Sequence, residues 1–204
     1  MARHRLIWYV AYGSNMLARR LHYYLAGGQP PGARRRYPGA RDRRPPRANR
    51  PVMLSGGVYF ALESPTWTGG LAFYDPNLPG RAAARAYLMT AQQFSDVAAQ
   101  EMHRAPGTDL DIDSVVEAGR LTVGPGRYET ILHAGDADGI PMLTFTAPWQ
   151  AHQAEPKPPA ARYLSMLAAG LRETHGWSAA RTAAYLRRLP GVTPRLLTDE
   201  AFAA

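Results

Sequence analysis

Runs of aliphatic and aromatic residues separated by turn residues extend along most of the chain and predict a series of β-strands. The first run, RLIWYVAY over 5–12, contains no charged residue after its first position, which is typical of a central strand. Further strands are predicted at 51–64, 66–76, 81–90, 120–124, 127–135 and 140–147.

Apolar residues at spacings of three and four predict helices between and after these strands. The first helix is predicted to begin at Asn15 and to be closed by Gly27-Gly28. Others are predicted at 91–104, 159–176 and 178–189. Clustered strands interrupted by helices indicate an α+β fold around a mixed β-sheet or β-barrel. We expect a single domain over 1–204, because no internal repeat or linker divides the sequence.

Composition narrows the class of protein. The chain has 204 residues, of which 46% are hydrophobic and 20% charged, as in an ordinary globular protein. It contains no cysteine, which excludes disulfides and thiolate chemistry. No apolar run approaches the length of a membrane span, so we expect a cytoplasmic protein with no membrane partner.

The net charge of +8 is concentrated in one Arg/Pro-rich loop, predicted at about 29–50. Within it, residues 31–50 hold eight arginines and one acidic residue, Asp42, so only +1 remains for the rest of the chain. Such a loop can bind nucleic acid or an acidic partner, or it can be a solvated, proline-stiffened surface loop. Because no aromatic stacking pattern accompanies the arginines, we expect no nucleic-acid partner.

The stretch Tyr12-Gly13-Ser14-Asn15 ends the first strand abruptly and leads into the first predicted helix. Such a turn leaves backbone amides available to an anion, which can be a phosphate, a carboxylate or a developing oxyanion. Gly13 permits close approach of the backbone, and Ser14 or Asn15 can cap the helix. An ordinary capped turn without a ligand is the alternative.

Glu101 is the unusual residue of the helix predicted at 91–104. It follows Phe94 by seven residues, close to two full turns, and is therefore predicted to point into the interior as Phe94 does. A buried carboxyl takes up protons more readily, so it can serve as a general base and acid near neutral pH. The alternatives are a structural glutamate paired with an arginine, and a helix that is rotated or ends early.

Other chemistries find no support in the sequence. The six histidines are scattered without metal-ligand spacing, so we expect no metal site. The chain has no G-x-S-x-G nucleophile turn, no P-loop and no dinucleotide fingerprint, and we expect no cofactor.

Four segments, in order, resemble the γ-glutamylcyclotransferase-like family. They are YVAYGSNM at 9–16, TWTGG at 66–70, Glu101 after the strand RAYLMT, and PPAARYLSML at 158–167. The resemblance spans about 6–190 and implies a mixed β-barrel flanked by helices. It also implies release of 5-oxoproline from a small γ-glutamyl amine or γ-glutamyl amino acid, without metal or cofactor. The YGSN sequence is similar to the branch that does not act on glutathione.

The resemblance also implies roles for residues. The turn Tyr12, Gly13, Ser14 and Asn15 binds the substrate, and Glu101 is the general base and acid. Tyr163 matches a family tyrosine near the pocket, although core packing alone also explains it. The glycines of TWTGG are structural in this interpretation. Met102 follows the glutamate where the family often has glycine, so the rim of the pocket differs.

Some questions stay open on the sequence alone. Some relatives carry deacetylase names, but this sequence lacks the His/Asp clusters of a metal-dependent deacetylase. A non-catalytic binding module, with the turn as an anion pocket and the Arg/Pro-rich loop contacting an acidic partner, is the alternative to an enzyme. The sequence determines neither the leaving amine nor the oligomeric state, for which a homodimer is one possibility.

Overall fold

The structure, a computed structural model, describes residues 5–30, 36–64 and 68–197. Its strands are β1 (Leu6–Ala11), β2 (Ala48–Ser55), β3 (Gly57–Ala61), β4 (Leu71–Asp75), β5 (Arg81–Thr90), β6 (Arg120–Thr122), β7 (Thr130–Ala137) and β8 (Ile140–Thr146). Its α-helices are α1 (Ala18–Ala26), α2 (Ala91–Glu101), α3 (Ile112–Ala118), α4 (Ala161–His175) and α5 (Ala179–Leu186). None of the helices in the described part of the chain is both long and apolar enough to cross a membrane.

Six strands form one mixed sheet in the order β2-β5-β1-β8-β7-β6, and β3 and β4 form a separate antiparallel pair. β1 lies inside the large sheet and pairs in parallel with β8, with Trp8 opposite Met142 and Tyr9 opposite Leu143. β7 pairs antiparallel with β6 and β8. The predicted α+β fold around a mixed sheet is confirmed. The sheet has open edges at β2 and β6, so it does not close into a barrel.

The chain forms two compact units. The first unit consists of Met1–Ala11, Arg19–Arg50 and Ala86–Pro148, and the second of Tyr12–Ala18, Pro51–Arg85 and Trp149–Ala204. The prediction of a single domain over 1–204 stays a prediction.

An aromatic cluster fills the core of the first unit. The ring of Tyr9 on β1 lies 5.3 Å from that of Phe145 on β8 and 5.7 Å from that of Phe94 on α2, measured between centroids. Tyr87 on β5 stacks on the same Tyr9 ring at 6.3 Å. These large buried rings hold α2 against the sheet, because each removes a wide apolar surface from water.

In the second unit, β3 and β4 pack with α4. The Phe60 ring on β3 meets the edge of Tyr163 on α4 at 6.2 Å, and Phe73 on β4 contacts Tyr59 and Trp149. Four of these five side chains are buried, and the half-buried indole of Trp149 covers one face of the cluster.

A predicted strand and a predicted helix differ from those observed, and one observed helix was not predicted. The strand predicted at 51–64 is two strands, because Gly56 breaks it with φ of 105°. A side chain at Gly56 would lie 2.6 Å from the Asp75 carbonyl oxygen, so only glycine fits this break. The helix predicted at 91–104 ends at Glu101, since His103 takes the left-handed φ of 59°. The short helix α3, capped by the Asp111 side chain, was not predicted.

Helix α2 carries a line of buried polar side chains beside its apolar face. Gln93 completes a capping box with Thr90 and donates through Nε2 to the Arg44 carbonyl at 2.8 Å. Asp96, whose side chain has no solvent exposure, accepts from the Arg41 amide at 2.8 Å and pairs with the Arg41 guanidinium. These contacts fix residues 41–44 on α2.

We predict that Asp96→Asn lowers the free energy of unfolding by about 2 kcal/mol, measured by urea denaturation. The substitution removes the charge partner of Arg41, and the cost is below that of a fully buried pair because Arg41 is partly exposed. Asp113→Asn is the matched control, because Asp113 pairs with Arg5 at a side chain that is 84% exposed. An equal loss of unfolding free energy in the two variants would contradict the role of Asp96 in holding Arg41.

His175 at the end of α4 is a titratable group inside the second unit. Its Nε2 donates to the Ala84 carbonyl oxygen at 3.1 Å, and its ring packs 4.9 Å from that of Trp177. Burial lowers the pKa of His175, and the nearby Arg181 lowers it further, while the bond to Ala84 acts in the opposite direction. The folded chain therefore favours neutral His175.

We predict that this histidine makes stability depend on pH. Its contribution is complete above the ordinary histidine pKa of about 6.5, and it is lost as pH falls, because the unfolded chain takes up the proton first. Urea unfolding between pH 7.5 and 5.5 should show a smaller loss of stability in His175→Gln than in the wild type. The exposed His152, changed to Gln, should behave as the wild type does. A wild-type pH dependence retained in His175→Gln would contradict the assignment.

Candidate active site

The predicted anion-binding turn lies two residues after the end of β1. It is a single 3-10 turn, Ser14–Met16. It is closed by the Met16 amide donating to the Gly13 carbonyl at 3.0 Å and by the Leu17 amide donating to the Ser14 carbonyl at 3.1 Å. The residue before the turn is Gly13, which provides no side-chain cap. The expected capping by Ser14 or Asn15 is therefore wrong.

Helix α1 begins at Ala18, three residues after the predicted start at Asn15. The amides of residues 13–15 lie outside the two hydrogen bonds that close the turn. Asn15 is buried, so its side chain belongs to the inner face of the turn. The anion-binding role of the turn stays a prediction.

Tyr163 on α4 lies beside this turn in the second unit. A methyl group placed on Gly13 would come within 3.3 Å of the Tyr163 hydroxyl oxygen. Tyr12 packs against Tyr74, with the ring centroids 5.8 Å apart. The structure thus places the predicted substrate-binding residues Tyr12–Asn15 and Tyr163 in one cluster.

Three residues of β5 and α4 that the sequence analysis did not identify hold the turn in place. Buried Arg85 on β5 donates to the Met16 carbonyl at 3.0 Å and forms an ion pair with Glu173 on α4. The Glu173 carboxylate also lies 3.4 Å from the Ala18 amide, where α1 begins. Gly170 allows α4 to approach, since a methyl group there would lie 2.9 Å from Met16 Cβ. β5 and α4 together fix the turn.

Glu101, the predicted general base, is in the first unit at the last residue of α2. Phe94, two turns earlier, is completely buried, whereas Glu101 is half-buried. The predicted inward orientation is thus only partly realised, because the helix ends at this residue. The position leaves Glu101 open to solvent on one side and to α1 on the other.

Tyr24 and Arg20 of α1 interact with the Glu101 carboxylate, and Tyr37 packs on both of them. The Tyr24 hydroxyl donates a hydrogen bond to Glu101. Arg20, one turn before Tyr24 on α1, lies over the rings of Tyr24 and Tyr37 at 5.3 and 4.9 Å from their centroids. Its Nη2 donates to both tyrosine hydroxyls, to that of Tyr24 at 3.4 Å. Arg20 and Tyr24 are four residues apart on one helix, a spacing at which side chains meet. The sequence analysis did not use this spacing.

The pKa shifts in this cluster follow from its charges. Burial raises the pKa of Tyr24 well above its ordinary value, and the negative charge of Glu101 raises it further, while Arg20 acts the other way. Burial tends to lower the pKa of Arg20, but Tyr24, Tyr37 and Glu101 outweigh that tendency and raise it. The neutral tyrosine and the charged arginine are therefore the stable forms beside Glu101.

The glycines of the TWTGG segment are structural, as predicted. Side chains at Gly69 and Gly70 would collide with the backbone of residues 157–160, and the Gly70 amide donates to the Pro158 carbonyl at 2.8 Å. Thr66 and Trp67 of the same segment lie outside the described residues.

The Arg/Pro-rich loop ends earlier than expected, because β2 begins at Ala48. Of its arginines, Arg34 and Arg35 lie outside the described residues. Three of the others form ion pairs within the first unit: Arg41 with Asp96 and Asp109, Arg44 with Asp42, and Arg50 with Asp138. Part of the positive charge that the sequence suggested for a partner, three of the eight arginines of 31–50, is thus paired inside the chain.

Two solved structures are similar to this chain. One is a gamma-glutamyl cyclotransferase, which has a TM-score of 0.54 and 17% identity, and the match covers 98% of this chain and all of that one. This chain has the γ-glutamyl cyclotransferase-like fold. The other structure is an uncharacterized human protein with the same coverage, a TM-score of 0.54 and 16% identity. The γ-glutamyl cyclotransferase-like fold implied by the sequence resemblance is confirmed, except that the expected closed barrel is wrong, because the sheet has open edges. The assignment to the YGSN branch stays a prediction.

Sequence comparison adds a different name. Histone deacetylase 5 of Arabidopsis thaliana is 30% identical over an alignment 202 positions long. The alignment covers 88% of this chain but only 30% of that protein. The name describes a protein of which this chain matches less than a third. No model of a known protein family matches the chain. Across the ranges that the structure describes, no group of three His, Cys, Asp or Glu side chains could hold a metal ion.

We predict that Gly13→Ala and Tyr163→Phe are energetically coupled. The added methyl group meets the Tyr163 hydroxyl, and removing that hydroxyl should recover about 1 kcal/mol of the lost unfolding free energy. A double-mutant cycle by urea denaturation measures the coupling. Tyr185→Phe is the control partner, because it removes a hydroxyl that contacts Ala83 instead. Additive effects of Gly13→Ala and Tyr163→Phe would contradict their contact.

Proposed function

We propose that this chain is a γ-glutamylcyclotransferase-type enzyme that releases 5-oxoproline from a small γ-glutamyl amine or γ-glutamyl amino acid. The observation that carries the proposal is the half-buried Glu101 carboxylate, hydrogen-bonded to Tyr24 at the end of α2 in a chain of this fold. A carboxylate so placed can exchange a proton with a ligand and still be held by the protein.

The proposed reaction is an intramolecular acyl transfer. Glu101 takes a proton from the substrate's α-ammonium group, and the freed amine attacks the γ-carbonyl carbon to close a five-membered ring. The bond from that carbon to the leaving nitrogen then breaks as Glu101 returns the proton to the leaving amine. The ring nitrogen gives up its second proton, which passes through Glu101 to the same amine, so the products are 5-oxoproline and an ammonium. Because nucleophile and electrophile belong to one molecule, the protein needs only to fold the substrate and move the proton. No metal or cofactor takes part in these steps.

The proposal gives the turn Tyr12–Asn15 the role of binding the substrate's α-carboxylate and γ-carbonyl oxygen. Backbone amides stabilise the negative charge that develops on that oxygen as the ring closes. Support comes from the fixed position of the turn, which Arg85 and α4 hold, and from the Tyr163 hydroxyl beside Gly13. Tyr163 is proposed to contact the bound substrate.

The alternative, a binding module that uses the arginines, has less support. Arg41, Arg44 and Arg50 are paired with acidic side chains of the same unit. An acidic partner would have to compete with these internal ion pairs. The cytoplasmic location stays part of the proposal.

We predict that Glu101→Gln abolishes 5-oxoproline release, with a loss of at least about 100-fold, because glutamine cannot accept the proton. The measurement is 5-oxoproline release from a panel of γ-glutamyl amines and γ-glutamyl amino acids, by chromatography of the products. Glu117→Gln on the exposed side of α3 is the matched control and should retain wild-type rates. Full release by Glu101→Gln would overturn the role of Glu101, and no release by the wild type from any substrate would overturn the proposed activity.

A further inference from the structure

The hydroxyl of Tyr24 is held between a donor and an acceptor. Arg20 Nη2 lies 3.4 Å from the Tyr24 oxygen, and the Glu101 carboxylate accepts from the same hydroxyl. A guanidinium carries only donors, so Arg20 occupies a lone pair of that oxygen. The single hydroxyl proton is then directed to the remaining neighbour, which is Glu101.

Arg20 is itself held in place by aromatic contacts. Its guanidinium lies over the rings of both Tyr24 and Tyr37, and the Tyr37 hydroxyl accepts a hydrogen bond from its Nη2. Tyr24 and Tyr37 pack together with their centroids 4.6 Å apart, and both are buried. A cation that contacts two ring faces and is partly buried is fixed more firmly than an exposed one, because it has lost part of its water.

The backbone of α2 is tied to α1 at the same point. Gln100, the residue before Glu101, is buried, and its Nε2 donates to the Tyr24 carbonyl at 2.8 Å. It also donates to the Asp96 carbonyl at 3.0 Å within α2. Residue 24 therefore meets α2 twice, by its backbone at Gln100 and by its hydroxyl at Glu101.

We propose that Tyr24 is a positioning residue for Glu101, that Arg20 orients the Tyr24 hydroxyl, and that this pair holds the carboxylate where it can receive a substrate proton. The catalytic consequence rests on the function proposed above, whereas the contact between Tyr24 and Glu101 does not. The titratable and charged groups that interact with Tyr24 and Arg20 are Glu101, Tyr37 and each other.

The inference predicts that Tyr24 and Glu101 are energetically coupled. Tyr24→Phe and Glu101→Ala each remove the hydrogen bond between the hydroxyl and the carboxylate, so the double variant should lose less stability than the sum of the two single losses. A double-mutant cycle by urea denaturation measures this coupling. Tyr23→Phe on the same helix is the matched control, and its effect should be additive with that of Glu101→Ala.

Kinetics separate the inference from the function on which it rests. In an active wild type, Tyr24→Phe should lower kcat about tenfold with little change in KM. Arg20→Gln should also lower kcat, and Arg20→Lys should lower it less because it keeps the charge. Additive effects of Tyr24→Phe and Glu101→Ala overturn the inference, whether or not the wild type turns over. Coupling of Tyr24 and Glu101 in a chain that releases no 5-oxoproline leaves Tyr24 as the residue that holds Glu101 and overturns the proposed activity alone.

Discussion

The line of buried polar side chains on α2 is the constraint on which the first unit depends. Gln93, Asp96 and Gln100 lie at i, i+3 and i+7, so they share one face of the helix. Each makes hydrogen bonds to backbone groups outside α2, in residues 41–44 and at Tyr24. Since a buried polar group is costly without its partner, these segments cannot move away from α2 without loss of stability. Helix α2 thereby fixes α1 and residues 41–44 of the Arg/Pro-rich loop.

The same constraint explains the surroundings of Glu101. The apolar face of α2, with Phe94 at its centre, is buried against Tyr9 and Phe145, and this sets the rotation of the helix. Gln100 then holds the last turn of α2 to α1, which brings the Tyr24 hydroxyl to the Glu101 carboxylate. A carboxylate that is half-buried, hydrogen-bonded and near a cation suits the proton transfer proposed for Glu101. In the second unit, Arg85 holds the turn at Ser14–Met16 in place by donating a hydrogen bond to the Met16 carbonyl.

Sequence patterns predicted the large elements well where a single physical signal was present. β5 has the predicted bounds 81–90, because its apolar run passes directly into the Thr90 cap of α2. Local backbone conformation was harder to foresee: Gly56 splits a predicted strand, and His103 ends α2 early. The polar residues that hold α2 were missed, because arginine, aspartate and glutamine usually lie on the solvated surface. Only tertiary contacts bury Asp96 and Gln100 and partly bury Arg20. The turn Tyr12–Asn15 was found from its residue types, but the 3-10 geometry was not.

The central claim is that ring closure by the substrate's own amine, and not attack by water, breaks the γ-glutamyl bond. Turnover of a γ-glutamyl amine in water enriched in oxygen-18, followed by mass spectrometry of the products, tests it directly. The account predicts 5-oxoproline without heavy oxygen together with the free amine. Glutamate carrying one heavy oxygen in its γ-carboxylate would show hydrolysis instead and would contradict the account.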